Sequence, residues 1–289
     1  MNIKKFIVFL GVLIPLGFLL YPTALALISC APQVVNRPKP QYGDLYSFPK
    51  YNIPEARKAG SVNLTAVIII PEYKDTLNQE YAGGAKVSAR GGISHDMLKV
   101  FKSFAGSLGE DIEAQLVAKG MTTKGPFSLA EVTYPDKKGA DLTVSTNAIF
   151  DINYTKPTFS REDHYEGGIS ANVYSCTMTV GIKIYYYMLE PMSGEKMWIK
   201  KLDLGVQEYP YHYGVKTEQY VSGHGGCGEP IYGWRATDEF VFDERVKIFS
   251  DILKGAYPQI MKTSWNYLDT SEMLNLKSKS QEIRDRKRY

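Results

Sequence analysis

Cysteine, histidine and a crowd of tyrosines are the side chains in this sequence whose type and spacing could do more than pack. Cys30, Cys176 and Cys227 are its three cysteines. Cys30 closes an apolar run, which is where an acyl chain is attached to an exported protein. Cys176 and Cys227 are a natural disulfide pair in an oxidising compartment. Their bridge would close a loop of about 52 residues and constrain the unfolded chain by ~4 kcal/mol in the entropy model. The alternative is two free buried thiols. His212, His224 and Cys227, with Cys176 near, have the donor types for zinc. Their spacing matches no common finger, and a thiolate site competes with the bridge. His95 follows a helix cap, and His164 lies beside Glu162 and Asp163, so both read as surface residues.

Tyr209, Tyr211, Tyr213, Tyr220, Tyr232 and Trp234 crowd a glycine-rich stretch between Tyr209 and Ala236. Rigid rings with a polar tip offer large contact area at low entropy cost, and they suit a sugar ring or a protein surface. The plainer reading is that they pack over a sheet edge. No nucleophile elbow, phosphate loop or HExxH helix appears. The expectation is therefore a non-catalytic chain with no cofactor and no metal.

The elements that must position these residues are legible from periodicity. Met178, Val180, Ile182, Ile184, Tyr186 and Met188 alternate with polar residues, the pattern of a long half-buried strand. Glu190-Pro191-Met192-Ser193-Gly194-Glu195 should reverse the chain, and a second strand should return from Lys196 to Gly205. Its alternation slips at Lys200-Lys201, where a bulge is expected. Val62–Ile70 reads as a central strand, Met121–Lys124 as a short edge strand, and Leu142–Tyr154 as a strand with one polar face. Ser94 should cap a long helix with Met97, Phe101, Phe104, Leu108, Ile112 and Leu116 on one face, stopped at Gly120. A small helix is expected from Ser128 to Tyr134, ended by Pro135. Thr237 should cap a final helical region that Pro258 kinks or breaks. Thr155–Ser175 and Tyr209–Ala236 read as long insertions between strands. The fold class that follows is α+β, an antiparallel or mixed sheet of about four to five strands with the long helix and the C-terminal helical region on one face.

Lys4 and Lys5 precede the almost wholly apolar run Phe6–Ile28, which ends in Leu27-Ile28-Ser29-Cys30. This reads as a secretory signal of the bacterial lipoprotein kind, with Cys30 as the residue expected to be acylated; an uncleaved anchor is the alternative, because 23 apolar residues can span a bilayer. The organisation expected is a signal peptide over 1–29, a proline-rich tether over 30–60, an α+β domain over 61–269 and a polar, basic tail over 270–289, weakly helical over Ser271–Leu276 and frayed in solution beyond it. From Lys277 to Tyr289 six Lys/Arg face Glu282 and Asp285, so the rest of the mature chain is mildly acidic despite the formal +3 of the whole. That distribution excludes a nucleic-acid groove. The partners expected are a membrane through the lipid anchor and a glycan or an envelope protein.

Leu189-Glu190-Pro191-Met192-Ser193-Gly194-Glu195 resembles the LEPMSGE signature of the neuraminyllactose-binding haemagglutinin family of outer-membrane lipoproteins. Weaker similarity covers Val62–Pro71, Gln115–Gly120, Ala140–Ile152 and the basic C-terminus. The resemblance implies a lipid-anchored outer-membrane adhesin for sialylated glycans. Alternatively it implies a structural component of an envelope assembly, such as the flagellar sheath or motor periphery. The family's binding segment, rich in Lys and Arg, corresponds to Thr155–Ser175. Here it carries Lys156 and Arg161 as its only Lys or Arg, against Glu162, Asp163 and Glu166.

Overall fold

A computed structural model of the chain describes residues 36–54, 61–75, 94–224, 226 and 229–288. The leader, Cys30 and Cys227 lie outside the described residues.

The long alternating run is the spine of the fold. Its strand β6 (Ile169–Leu189) pairs on one edge with β7 (Lys196–His224) over almost its whole length. On its other edge it takes two strands end to end, β4 (Leu142–Tyr154) and β5 (Thr158–Tyr165), both antiparallel. β2 (Thr65–Asp75) lies parallel to β4 and to β3 (Thr122–Phe127), and β1 (Asn36–Arg37) lies parallel to β5. β8 (Pro230–Asp243) pairs with β7 and completes, among the described residues, one mixed sheet of eight strands.

The sheet is larger than the four to five strands expected, because both supposed insertions are strand. Gly167 and Gly168, at φ 84° and 74°, turn β5 into β6. The Tyr209–Ala236 stretch extends β7 and returns as β8. In each, β-branched and aromatic residues are mixed with polar ones on a hairpin that both faces leave partly wet. Thr237 lies within β8, where its hydroxyl donates to the Lys216 carbonyl instead of capping a helix.

One face carries the core. The even-numbered β6 residues from Met178 to Met188 and Leu142, Val144, Ala148, Phe150 and Ile152 of β4 are buried against helices α1 (His95–Ala118) and α3 (Arg245–Tyr267). Ser94 caps α1 as expected, accepting from the Met97 N–H at 3.2 Å. Edge-to-face rings tie the layers together, Phe101 to Phe150 at 5.9 Å and Phe150 to Phe249 at 5.2 Å. α3 runs through Pro258 without a break, because the proline faces solvent and removes a single donor. The short helix α2 (Tyr134–Lys138) begins at the proline expected to end one; Pro135 stands in the first turn, where its missing N–H is no loss.

Three further expectations are corrected. Lys200 and Lys201 pair regularly with Tyr186 and Tyr185, and the register shifts instead near Met197 and at Leu204-Gly205, where Gly205 sits at φ 73°. Lys200 points to the helical side and binds Glu272 at 2.7 Å, which is why the alternation slips there. The proline-rich segment is partly docked. Phe48 sits between Phe104 and Tyr257, and the Tyr51 N–H donates to Asp111 at 3.0 Å. The basic tail is helix α4 (Thr270–Lys287), with Met273, Leu276 and Ile283 buried. Its Arg284 reaches Glu190 at the start of the signature turn.

Candidate functional site

The face away from the helices is the open one. β4 hands over to β5 along the β6 edge through Thr155-Lys156-Pro157, where the Thr155 N–H donates to the Thr177 carbonyl at 2.9 Å and the Thr177 N–H to Thr155 Oγ1 at 2.8 Å. Pro157 has no N–H to continue the ladder. The hand-over leaves a groove of about 580 Å³, within the size range of small-ligand sites.

Register fixes what lines it. Ser175 stands opposite His212, Thr177 opposite Pro210 and Thr158 opposite Ser175, all on the open face. Thr155, Lys156 and Glu208 complete the rim, with Lys156 and Glu208 exposed. The Ser160 and Ser175 hydroxyls share a hydrogen bond at 2.5 Å, and Thr158 Oγ1 donates to the Ser175 carbonyl at 3.2 Å. His212 places Nδ1 3.2 Å from Glu244 Oε2, and that carboxylate also accepts the His212 N–H. The result is a shallow hydroxyl-rich trough with one cation and one carboxylate on its rim. Such a lining suits a polyhydroxylated ligand that carries charge.

Cys176 also borders the groove, as a free thiol. Burial pushes its pKa up to about 11, so it is a protonated thiol and a poor nucleophile at neutral pH. Its expected disulfide partner, Cys227, lies outside the described residues. Behind the groove the Tyr211 hydroxyl donates to Asp243 at 3.0 Å, and Arg245 is paired with the same carboxylate. Burial, then Asp243, drives the Tyr211 pKa upward, so the phenol stays neutral and pins β7 to the start of α3.

The aromatic set of the sequence divides in two. Tyr211 and Tyr213 are buried in a stack with Tyr174 at 5.3–5.4 Å spacing, and half-buried Tyr209 donates to Gln207 at 2.6 Å. These three follow the packing reading, although Tyr209 also touches the groove. Tyr220, Tyr232 and Trp234 are exposed on the part of the β7–β8 hairpin that runs past the end of β6. The two candidate cations also part company. Lys156 is on the groove rim, whereas Arg161 is bound through Nε to buried Asp163 at 2.9 Å. Among the described residues no cluster of three or more His, Cys, Asp and Glu could hold a metal; the side chain of His224 is outside that set. Sequence reasoning passed over Thr158, Ser175, Thr177, Glu208 and, as a groove residue, His212. The signal was a run of hydroxyls and charges at every second position on facing strands.

No protein-family model matches the chain, and no curated protein matches it. Among solved structures the fold is similar to one from Helicobacter pylori described as a neuraminyllactose-binding hemagglutinin homolog. That likeness has 14% identity and a TM-score of 0.47, over 80% of this chain and 99% of that one. A Xanthomonas campestris protein of family DUF330 is similar at 8% identity and a TM-score of 0.26, over 74% of this chain and 90% of that one.

Proposed function

We propose that this chain is a non-catalytic lipoprotein, tethered through Cys30 to the outer membrane, that binds an anionic glycan in the groove between β4, β5, β6 and β7. The observation that carries the reading is the groove itself, a trough of hydroxyls with exposed Lys156 on its rim. Ser and Thr hydroxyls both donate and accept, as sugar hydroxyls require, and Lys156 supplies the charge for a carboxylate. Arg161 does not line the groove, and its Nε is bonded to Asp163. The resemblance of the Leu189–Glu195 turn supports a sialylated sugar as the first ligand to test.

Sialyllactose titrated into the purified chain should bind saturably, and Lys156→Glu should weaken binding by about tenfold or more, the range expected when one charge-assisted hydrogen bond is replaced by a repulsion. Arg161→Gln should leave it unchanged. Absence of saturable binding, or binding indifferent to Lys156→Glu, refutes the reading. A second reading, a structural component of an envelope assembly, is favoured by the long polar open face of β4, with Asn147, Asp151 and Asn153. Crosslinking in whole cells distinguishes it, since that role requires fixed protein neighbours without glycan binding.

A further inference from the structure

The β7–β8 arm carries a group of exposed apolar side chains that the groove does not use. β7 passes the end of β6 at Thr217, opposite Ser170, and continues to His224 paired only with β8 among the described residues. Those seven residues make an arm of about 23 Å at ~3.3 Å each. Its two faces differ. On one, Arg235 donates to Glu218 at 2.9 Å and lies over the Tyr220 ring, which crosses Gly233 where a side chain would stand. On the other, Gln219 pairs with Trp234 and Val221 with Tyr232. Val221, Tyr232 and Trp234 are 51%, 57% and 62% exposed, and none of these four paired positions is charged. Tyr232 and Trp234, two apart on one strand, stand ~7 Å from each other and form a continuous neutral aromatic face.

Position identifies the occupant. β1 pairs with His164 and Tyr165, beside the turn into β6, at the same end of the sheet from which the arm leaves. Asn36 is six residues from Cys30, a covalent reach of at most ~20 Å. Trp234 and Tyr232 stand only ~7 and ~13 Å past the root of the arm. β1 runs parallel to β5, toward the arm, so a bilayer that holds Cys30 comes within reach of both rings when the chain ahead of Asn36 doubles back, which its length allows. Indole and phenol rings favour the headgroup boundary, and this face has no charge to desolvate there.

We propose that the Val221–Tyr232–Trp234 face is a second membrane contact, which sinks into the headgroup boundary of the bilayer holding Cys30 and fixes how the body stands on it. The proposal rests on the lipid-anchor reading given above. Two contacts on one surface act together, so the arm needs little affinity of its own once the tether has brought it close.

The test uses the full lipoprotein as made in bacterial cells, reconstituted into phosphatidylcholine vesicles with plain or brominated acyl chains. Trp198→Phe with Trp265→Phe in every protein tested leaves Trp234 as the one tryptophan of the three, so bromine reports on it. Bromine should quench the Trp234 share of the emission, and Val221→Glu with Tyr232→Glu should reduce that quenching severalfold while the unfolding midpoint stays unchanged. Protein that floats with the vesicles yet shows no bromine quenching overturns the proposal and leaves the anchor standing. Protein that does not float, with an unacylated amino-terminal peptide, overturns the anchor reading and the proposal with it. A Trp234 signal that follows protein density rather than bromine assigns the face to a second copy and also overturns it.

Discussion

Replacing Arg284 with alanine should unfasten the last helix from the sheet. Glu190 opens the signature turn with no exposed surface, and it accepts from Met192 N–H at 2.9 Å, Ser193 N–H at 2.5 Å and Arg284 Nε at 2.9 Å. Arg284, itself only 16% exposed, also donates to the Ala140 carbonyl at 2.6 Å, so it ties α4 to the turn and to the entry of β4. Deleting one partner of a buried pair costs ~3–5 kcal/mol, because the other charge stays desolvated. The two backbone donors that remain on Glu190 place Arg284→Ala at the lower end, about 3 kcal/mol. Glu190→Gln keeps the shape and loses the charge, and should cost about 1–2 kcal/mol. If the two groups act on each other, the double variant should fall short of the summed single costs by at least ~1 kcal/mol. Urea unfolding with linear extrapolation reads all three values. An Arg284→Ala variant within ~0.5 kcal/mol of wild type, or strict additivity, would refute the latch.

Acid should act on the same turn. Burial raises the Glu190 pKa, but the hydrogen bonds from Met192, Ser193 and Arg284 outweigh it and hold the carboxyl below its ordinary range. With the folded value below the unfolded ~4.3, this stability is complete above the unfolded value and is lost as pH falls through the folded one. Wild type should therefore lose more stability than Glu190→Gln between pH ~5 and pH ~3, and equal losses in a chemical-unfolding series would contradict this. Gly214→Ala should destabilise by ~1–3 kcal/mol, because the added carbon would stand 2.5 Å from the Phe242 ring; an unchanged melting temperature would show that the ring yields freely. Cys176 should react slowly with iodoacetamide at pH 7.5 and faster as pH rises toward about 11. Fast labelling of Cys176 in the native chain, followed by peptide mass, would contradict the burial described.

The strands and the long helix were readable because one face of each is wet, so period and burial coincide: Leu142–Tyr154 and the Ser94-capped helix stand as the alternation predicts. The same rule misled where both faces are partly wet. Thr155–Ser175 and Tyr209–Ala236 show weak alternation because the sheet is barely covered there, and only cross-strand pairing makes them strands. Only the Ser271–Leu276 start of α4 reads as helical in the sequence, because its apolar anchors, Met273, Leu276 and Ile283, are widely spaced and its docking depends on Arg284 and a carboxylate 94 positions earlier. Of the site, Lys156 and the exposed rings of Tyr220, Tyr232 and Trp234 were legible as single residues. The groove was not, since Thr158, Ser175, Thr177 and Glu208 are ordinary polar strand positions until the register sets them side by side.

The proposed lipoprotein and its membrane arm both require the body to be held to a bilayer through residue 30. The mass of the amino-terminal peptide of the protein purified from bacterial membranes tests that requirement most directly. The account predicts a chain that begins at Cys30 and carries acyl groups, and a chain that retains Met1 and bears no lipid would contradict it.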